Sequence, residues 1–458
     1  MANPMSVSKP FRKTIETEPA RFVVGIDLGT TNSAVCYVDI HQSAWQIQTF
    51  RVPQLVAPGQ TEAREILPSF HYQPASKEFP AGSLRLPWHT EDPEYVVGFF
   101  ARDHGTIVPG RLVSSAKSWL CHSGVDRTSP LLPWQAASDC PKISPIEASA
   151  RYLRHIREAW DHRFPDYPLA QQDIVLTLPA SFDEVARQLT IRAAAAAGLP
   201  RVVLLEEPQA AFYAWIYAHR QDWHSRVQPG QKILICDIGG GTTDFTLIRV
   251  RLTEDGRIQF HRVAVGNHLI LGGDNLDLAL AHHVENRLRQ KPPLGSANVS
   301  SSLSPLSPPR ERGRGERSSP PSPLAGEGDE RSSPGEGGAF PSPLAGEGKG
   351  EGEPAVSPTG LPSDSPLTPR QWAILVGLCR QAKEVLLAEN PPQRYTLTIP
   401  GTGTRLIGGA ISVELTRQEV EEVLLEGFFP RVPLDARPAA RRSGFQEFGL
   451  PYAPDPAV

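Results

Sequence analysis

Residues 22 to 40 read FVVGIDLGTTNSAVCYVDI: an apolar run, a tip of Asp-Leu-Gly-Thr-Thr-Asn, and a second apolar run. Two strand-like runs about a short glycine-bearing tip predict a β-hairpin. The pattern recurs at 232 to 250, KILICDIGGGTTDFTLIRV, which places Asp27 and Asp237 at equivalent points 210 residues apart. Between the hairpins the period changes. SPIEASARYLRHIREAW (144–160) carries Ser144 as a helix N-cap, Pro145 at the first helical position and Glu147 three residues after the cap, then apolar residues at helical spacing. SFDEVARQLTIRAAAAAG repeats the device with Ser181 as cap and Glu184, and Gly198 falls where a helix stops. DIVLTLP (173–179) and RVVLLEEP (201–208) read as buried strands. Strands alternating with helices indicate an α/β fold with its sites at the carboxyl ends of strands.

A chain of 458 residues would suggest two or three domains, but its 46 prolines and 38 glycines are unevenly spread. From Pro293 to Pro369 Pro, Ser, Gly and Glu dominate, Phe340 is the only aromatic residue, and PSPLAGEG occurs at both 321–328 and 341–348. Such a stretch cannot bury enough apolar surface to offset its ordering entropy, so 293–369 is expected to be a disordered insertion. A proline-rich ligand for a partner domain is the alternative. Residues 1–20 are expected to be flexible and 431–458 irregular.

Charge and cysteine usage narrow the class. The formal net charge is −4, from 46 basic and 50 acidic residues, which gives no bulk attraction to nucleic acid or to a membrane surface. Five cysteines without a C-x-x-C spacing fit reduced thiols better than a disulfide framework or a zinc site. Cys36 and Cys236, inside apolar strand patterns, are expected in the core. With no signal-type apolar segment and no membrane-length apolar run, the expectation is a soluble cytoplasmic protein.

The two tips carry the chemistry. Gly29 in one, and Gly239, Gly240 and Gly241 in the other, allow backbone N–H groups to converge on an anion, and the adjacent threonine hydroxyls add donors. Asp27 and Asp237, each at a strand end beside its turn, are placed to hold a hydrated Mg²⁺ through its waters. Facing each other, the hairpins could grip a polyphosphate from both sides. Each alone could equally be an ordinary hairpin turn.

GIDLGTTNS and DIGGGTTD, with LEEPQAA between them and LGGDNLD after, resemble the motifs of the seventy-kilodalton heat-shock protein family, whose fold is shared with actin and sugar kinases. The resemblance covers about 21–290 and 370–430. It implies an α/β actin-like ATPase fold, two lobes with mixed sheets and flanking helices around a nucleotide cleft: 21–205 the first lobe, 206–292 with 370–430 the second. It implies ATP or ADP with Mg²⁺ as cofactors. Gly29, Thr30 and Thr31 would contact the phosphates from one lobe, and Gly239, Gly240, Gly241 and Thr242 from the other, with Gly272 and Gly273 of LGGDNLD also on the nucleotide side. Asp27 and Asp237 would orient the magnesium waters, and Glu207 would bind those waters or position the attacking one. Thr242 and Asp244 fit positions near the γ-phosphate and its nucleophilic water, and Lys117, in SSAKSWL, the lysine set against that phosphate. Pro179 matches a proline associated with passing the nucleotide state between lobes, and Lys383, in LCRQAKEVLL, an adenosine contact.

The chain also departs from the family pattern. Glu206 replaces an Asn and Gln209 a Thr of the connecting motif; Arg380 stands for a Glu and Glu384 for a basic residue on the adenosine helix. The family's later adenosine loop and peptide-binding β-sandwich have no counterpart, and IGGAI (407–411) lies upstream of the loop's place, in a strand-to-helix stretch. The second lobe is therefore expected to be incomplete. The resemblance implies an ATP-hydrolysing chaperone module for protein folding, with co-chaperones or a separate peptide-binding polypeptide as partners. An inactive nucleotide-binding remnant and an actin-fold small-molecule kinase are the alternatives.

Overall fold

The first tip closes a hairpin of two antiparallel strands, β1 (Phe22–Leu28) and β2 (Asn32–Asp39), in register from Phe22 opposite Asp39 to Leu28 opposite Ser33. The structure, a computed structural model, describes residues 20–266, 269–290, 366–401, 410–433, 435–436, 446–447 and 450–451. After the hairpin come β3 (Gln48–Thr49), β4 (Val52–Ala57), β5 (Gln60–Arg64), β6 (Ile66–Pro68), β7 (His71–Tyr72), β8 (Val96–Val97), α1 (Phe99–Ile107), β9 (Leu112–Val113), α2 (Ala116–Cys121) and α3 (Pro145–Arg163). β10 (Asp173–Leu178), α4 (Glu184–Ala196), β11 (Val202–Glu206), α5 (Glu207–Ala218) and α6 (Trp223–Arg226) follow. The later elements are β12 (Lys232–Ile238), β13 (Thr243–Leu252), β14 (Ile258–Val265), α7 (Gly273–Gln290), α8 (Pro369–Leu386), β15 (Arg394–Ile399), β16 (Ile411–Thr416) and α9 (Arg417–Glu421). The expectations for 1–19, for 293–365, for most of IGGAI and for most of the tail fall outside the described residues.

The main sheet has the order β11-β10-β1-β2-β3, with β6 also on β2. β1, β10 and β11 are parallel while β1 and β2 are antiparallel, so the sheet is mixed and carries the first turn at the end of its central strand. Helix α3 begins as its sequence dictates: Ser144 accepts a hydrogen bond from the Glu147 N–H (3.1 Å) and Pro145 opens the helix. Its apolar stripe ends at fully buried Trp160, whose ring meets Phe22 and Tyr37 edge-on at 5.4 and 5.3 Å and whose Nε1–H donates to the Tyr167 carbonyl (2.9 Å). The second hairpin forms the three-stranded antiparallel sheet β12-β13-β14, and β15 pairs with β16. Helix α8 starts earlier than the motif suggested, at a capping box in which Thr368 and Gln371 bond each other's backbone N–H. The 407–411 region leads as expected into a strand, β16, and then a helix, α9.

Three expectations need correction. Helix α4 is capped by Asp183, not Ser181: the Asp183 carboxylate accepts the Ala186 N–H (2.7 Å) and also receives Arg127 through two bonds of 2.9 and 2.8 Å. Strand β11 is not buried on both faces, because it is the last strand of its sheet and leaves Val203 67% exposed. Cys36 and Cys236 are exposed, since in each strand the cysteine falls on the alternation facing away from the core. In β12 that outward row is Leu234, Cys236 and Ile238, and among the described residues β12 pairs with β13 alone. All five thiols are free, and no helix among the described residues is long and apolar enough to cross a membrane.

Replacing Asp183 with Ala removes a cap and leaves the buried Arg127 unpaired, so it should destabilise the fold by about 2 kcal/mol, against under about 1 kcal/mol for Ser181→Ala. Denaturant unfolding of the two variants tests the assignment, and the reverse order would refute it. A second expectation concerns acid. Burial lowers the pKa of His155, whose Nε2–H donates to the Pro53 carbonyl (2.9 Å), from 6.5 to about 4. The unfolded chain keeps the ordinary value, so this stabilisation is complete above about pH 6.5 and is lost toward pH 4, by up to about 1.4 kcal/mol per pH unit. His155→Gln should flatten the stability curve in that window, read by unfolding at stepped pH.

Candidate functional site

The two glycine turns touch. A Cβ on Gly240 would overlap the Thr31 side chain, and one on Gly241 would lie 2.6 Å from Ser118 Oγ and 2.7 Å from Thr30 Cγ2. Only glycine admits this approach. Each turn is braced from behind. Ser69 donates its hydroxyl to the Gly29 carbonyl and its N–H to the Thr31 carbonyl, both at 2.8 Å. Gly239 N–H donates to the Thr242 carbonyl (2.8 Å). The segment leading into α7 closes against the second turn: Gly273 N–H reaches the Gly239 carbonyl (3.1 Å), Asp274 N–H the Gly240 carbonyl (2.7 Å), and Thr243 Oγ1 the Leu271 carbonyl (2.7 Å). A Cβ on Gly272 would come within 2.6 Å of the Gly239 carbonyl oxygen. In this conformation the Gly273 N–H serves the turn, so its first role is to hold the turn's shape.

Beside the turns lies a compact charge cluster. Lys117, buried in α2, ion-pairs with Glu207 at the start of α5, and Asp27 and Asp237 act on the pair from the two hairpins. Burial alone would lower the Lys117 pKa, but Glu207 and Asp27 outweigh it and raise it. Burial raises Glu207, as do Asp27 and Asp237, against the pull of Lys117. Asp237 is likewise raised by burial. Thr177 Oγ1 donates to Asp27 Oδ1 (2.7 Å) and fixes that carboxylate. Three carboxylates against one ammonium leave a surplus of negative charge, a donor set that suits a divalent cation. Among the described residues no group of three or more His, Cys, Asp or Glu has direct metal-ligand geometry.

The two sheets are joined by side-chain pairings that the motifs do not give. Ser181, two residues after the buried Pro179, donates to Asp244 on β13. Glu206, at the last residue of β11, takes Arg187 from α4 (3.0 Å) and Arg262 from β14. Ser118 Oγ is buried beside Gly241 without a hydrogen-bond partner among the described residues. Its only signal in the sequence is adjacency to Lys117.

Helix α8 brings Lys383 to the same region. Its Nζ donates to the Gly273 carbonyl (2.9 Å) and pairs with Asp277 (2.6 Å). Arg380 binds Asp277 through Nε (2.8 Å) and Asp274 through Nη2 (3.0 Å), and its guanidinium lies over the Phe70 ring. Burial would lower the Arg380 pKa; Asp277 and Asp274 outweigh that and raise it. Asp274 accepts in turn from Ser115 Oγ (2.8 Å), and Glu384 pairs with Arg102 (3.5 Å). The basic residue at 380 is therefore neutralised within the protein, and contacts from α8 and α7 reach Phe70, Arg102 and Ser115 in the first half of the chain.

A family model described as Hsp70 protein matches residues 23–317. Among curated proteins, the chaperone protein HscA of Enterobacter sp. (strain 638) is 31% identical over 282 residues, covering 58% of this chain and 38% of that protein. HscA of Serratia proteamaculans (strain 568) is 32% identical over 276 residues, 57% of this chain and 37% of its own length. HscA of Escherichia coli (strain K12 / DH10B) is 30% identical over 279 residues, 58% and 38%. The chain thus spans under two-fifths of the length of these relatives.

The contact between the turns gives a direct test. Gly240→Ala should force Thr31 aside and cost about 1–3 kcal/mol. Thr31→Ala in the same chain should recover a good part of it, a coupling of at least about 1 kcal/mol in a double-mutant cycle followed by denaturant unfolding. Strict additivity would mean that the turns do not meet.

Proposed function

The chain belongs to the Hsp70 protein family, and on that premise we propose that it binds ATP or ADP with Mg²⁺ between the two turns and hydrolyses ATP. The observation that carries the reading is the meeting of Gly240 and Thr31 beside a buried lysine flanked by three carboxylates. Backbone N–H groups of both turns, with Thr30, Thr31 and Thr242, would hold the phosphates; Asp27 and Asp237 would hold the cation's waters. Bound Mg²⁺ would neutralise charge on the phosphate oxygens. Lys117 stays charged across the neutral range and supplies fixed positive charge where negative charge develops. Glu207, its carboxyl raised by burial, is the better proton acceptor for that shift and can orient a water. Asp244, steadied by Ser181, stands as a second acceptor.

The reading extends to chaperone work in protein folding, with co-chaperones as partners, in keeping with relatives named as chaperones. Five free thiols suit a reducing cytoplasm. The small-molecule kinase reading draws no support from these relatives.

Calorimetric titration with ADP and ATP, with and without Mg²⁺, and a phosphate-release assay test the proposal. Mg²⁺-dependent binding with turnover is expected, and Lys117→Ala and Thr242→Ala should each lower hydrolysis at least about tenfold, over about 1.4 kcal/mol in the barrier. Absence of Mg²⁺-dependent binding would overturn it in favour of an inactive remnant, and unchanged turnover in both variants would remove their assigned roles.

A further inference from the structure

Helix α2, which carries Lys117, starts in an unusual way. Ser115, immediately before it, has φ 53° and ψ 29°, in the left-handed region. A serine at this position usually takes extended backbone and lets its hydroxyl accept an N–H of the new helix. Ser115 does neither. Its side chain makes no cap bond, and its Oγ–H donates instead to Asp274 Oδ2 (2.8 Å), in the first turn of α7. Among the described residues only Lys77 shares a positive φ with a side chain, and Lys77 lies in an exposed turn. Left-handed backbone is unfavourable for a residue with a Cβ and persists where surrounding contacts over-determine it.

Here the determining contact is the bond to Asp274. A pocket of about 420 Å³, with Ser114, Ser115, Asp274 and Arg380 in its lining, lies beside this junction, so close packing does not enforce the Ser115 backbone from that side. Asp274 is itself buried and held three times over. Its N–H donates to the Gly240 carbonyl (2.7 Å), its Oδ1 accepts from Arg380 Nη2 (3.0 Å), and Oδ2 is left for Ser115. One residue thus grips the second glycine turn through its backbone and the start of α2 through its carboxylate. Trp119 and Leu120 anchor the later part of α2 in the core. The first turn, with Lys117 two residues past Ser115 and paired to Glu207, takes its direction from the Ser115 dihedrals.

We propose that Ser115 is a positioning residue for ATP hydrolysis: Asp274 holds it left-handed, and that backbone sets Lys117 against the glycine turns. The inference rests on the reading of those turns as an ATP site. A charge that stabilises a transition state must be held closely, since a misplacement of about 1 Å can cost about a hundredfold in rate. Through Asp274 the lysine is referenced to the same turn that holds the phosphates.

The test orders variants by their tolerance of left-handed backbone. Glycine adopts it freely and asparagine readily, whereas alanine resists it. In a phosphate-release assay on the full chain with Mg²⁺ and ATP, Ser115→Ala should lower kcat at least tenfold, and Ser115→Gly and Ser115→Asn less than threefold. Calorimetry with Mg²⁺ and ADP should give all three an affinity within threefold of the parent chain. Asp274→Ala, which leaves Arg380 its bond to Asp277, should also lower kcat, and adding Ser115→Gly should raise it again at least twofold. A merely structural contact predicts no such rescue, because the second substitution adds no interaction. Equal losses in the three Ser115 variants, a loss confined to nucleotide affinity, or no recovery in the double variant would overturn the proposal while leaving the ATP site in place. A parent chain without turnover would overturn the hydrolysis reading and this role together.

Discussion

Lys117 places an ammonium group in the interior, and such a burial costs several kcal/mol unless carboxylates meet the charge. Glu207 meets it directly, and Asp27 and Asp237 reinforce it from the two hairpins. The cluster therefore draws on α2, α5, β1 and β12, elements that lie far apart in the chain. Removing the lysine would leave three carboxylates in mutual repulsion. Removing either hairpin would leave the lysine under-compensated. The geometry of the glycine turns follows from this mutual need, because the strands that carry the aspartates also carry the turns.

The turn chemistry shows how backbone and side chains divide the labour. Thr31 and Gly240 approach closely because one partner has no side chain, while Ser69 and the start of α7 absorb the carbonyl groups that such tight turns expose. On the far side of the cleft, Arg380 gathers Asp274 and Asp277 and stacks on Phe70. That residue departs from the family pattern, yet the network around it is complete: each charge has a partner, so the substitution is structurally absorbed.

Much of this is legible in the sequence alone. Both hairpins follow from period-two alternation about glycine tips, and the start of α3 from Ser144, Pro145 and Glu147 acting as local signals. The α4 cap was misread because Ser181 and Asp183 are both competent N-caps, and the choice fell to Arg127, 56 residues away in sequence, which rewards the carboxylate. The cysteines were misplaced because a fully apolar run hides which face is inward; alternation with buried Ser33 and Val35 sets Cys36 outward. The pairings of Glu206, Arg262 and Ser181 are out of reach for another reason. Their partners are assembled by the packing of two sheets, and no local spacing encodes it.

Among the described residues β12 pairs on one side alone, which has a consequence for behaviour in concentrated solution. A strand paired on one side alone, with Leu234 and Ile238 exposed, is a template for intermolecular strand addition while its other side stays uncovered. Charged or proline gatekeepers, which usually blunt such rims, are absent from the interior of Lys232–Ile238 except for Asp237, and that carboxylate is turned to the cluster. Cys236 lies in the same row, so two chains joined there would bring their thiols close together. Self-association and oxidation would then report on one edge, and a reductant would act on both.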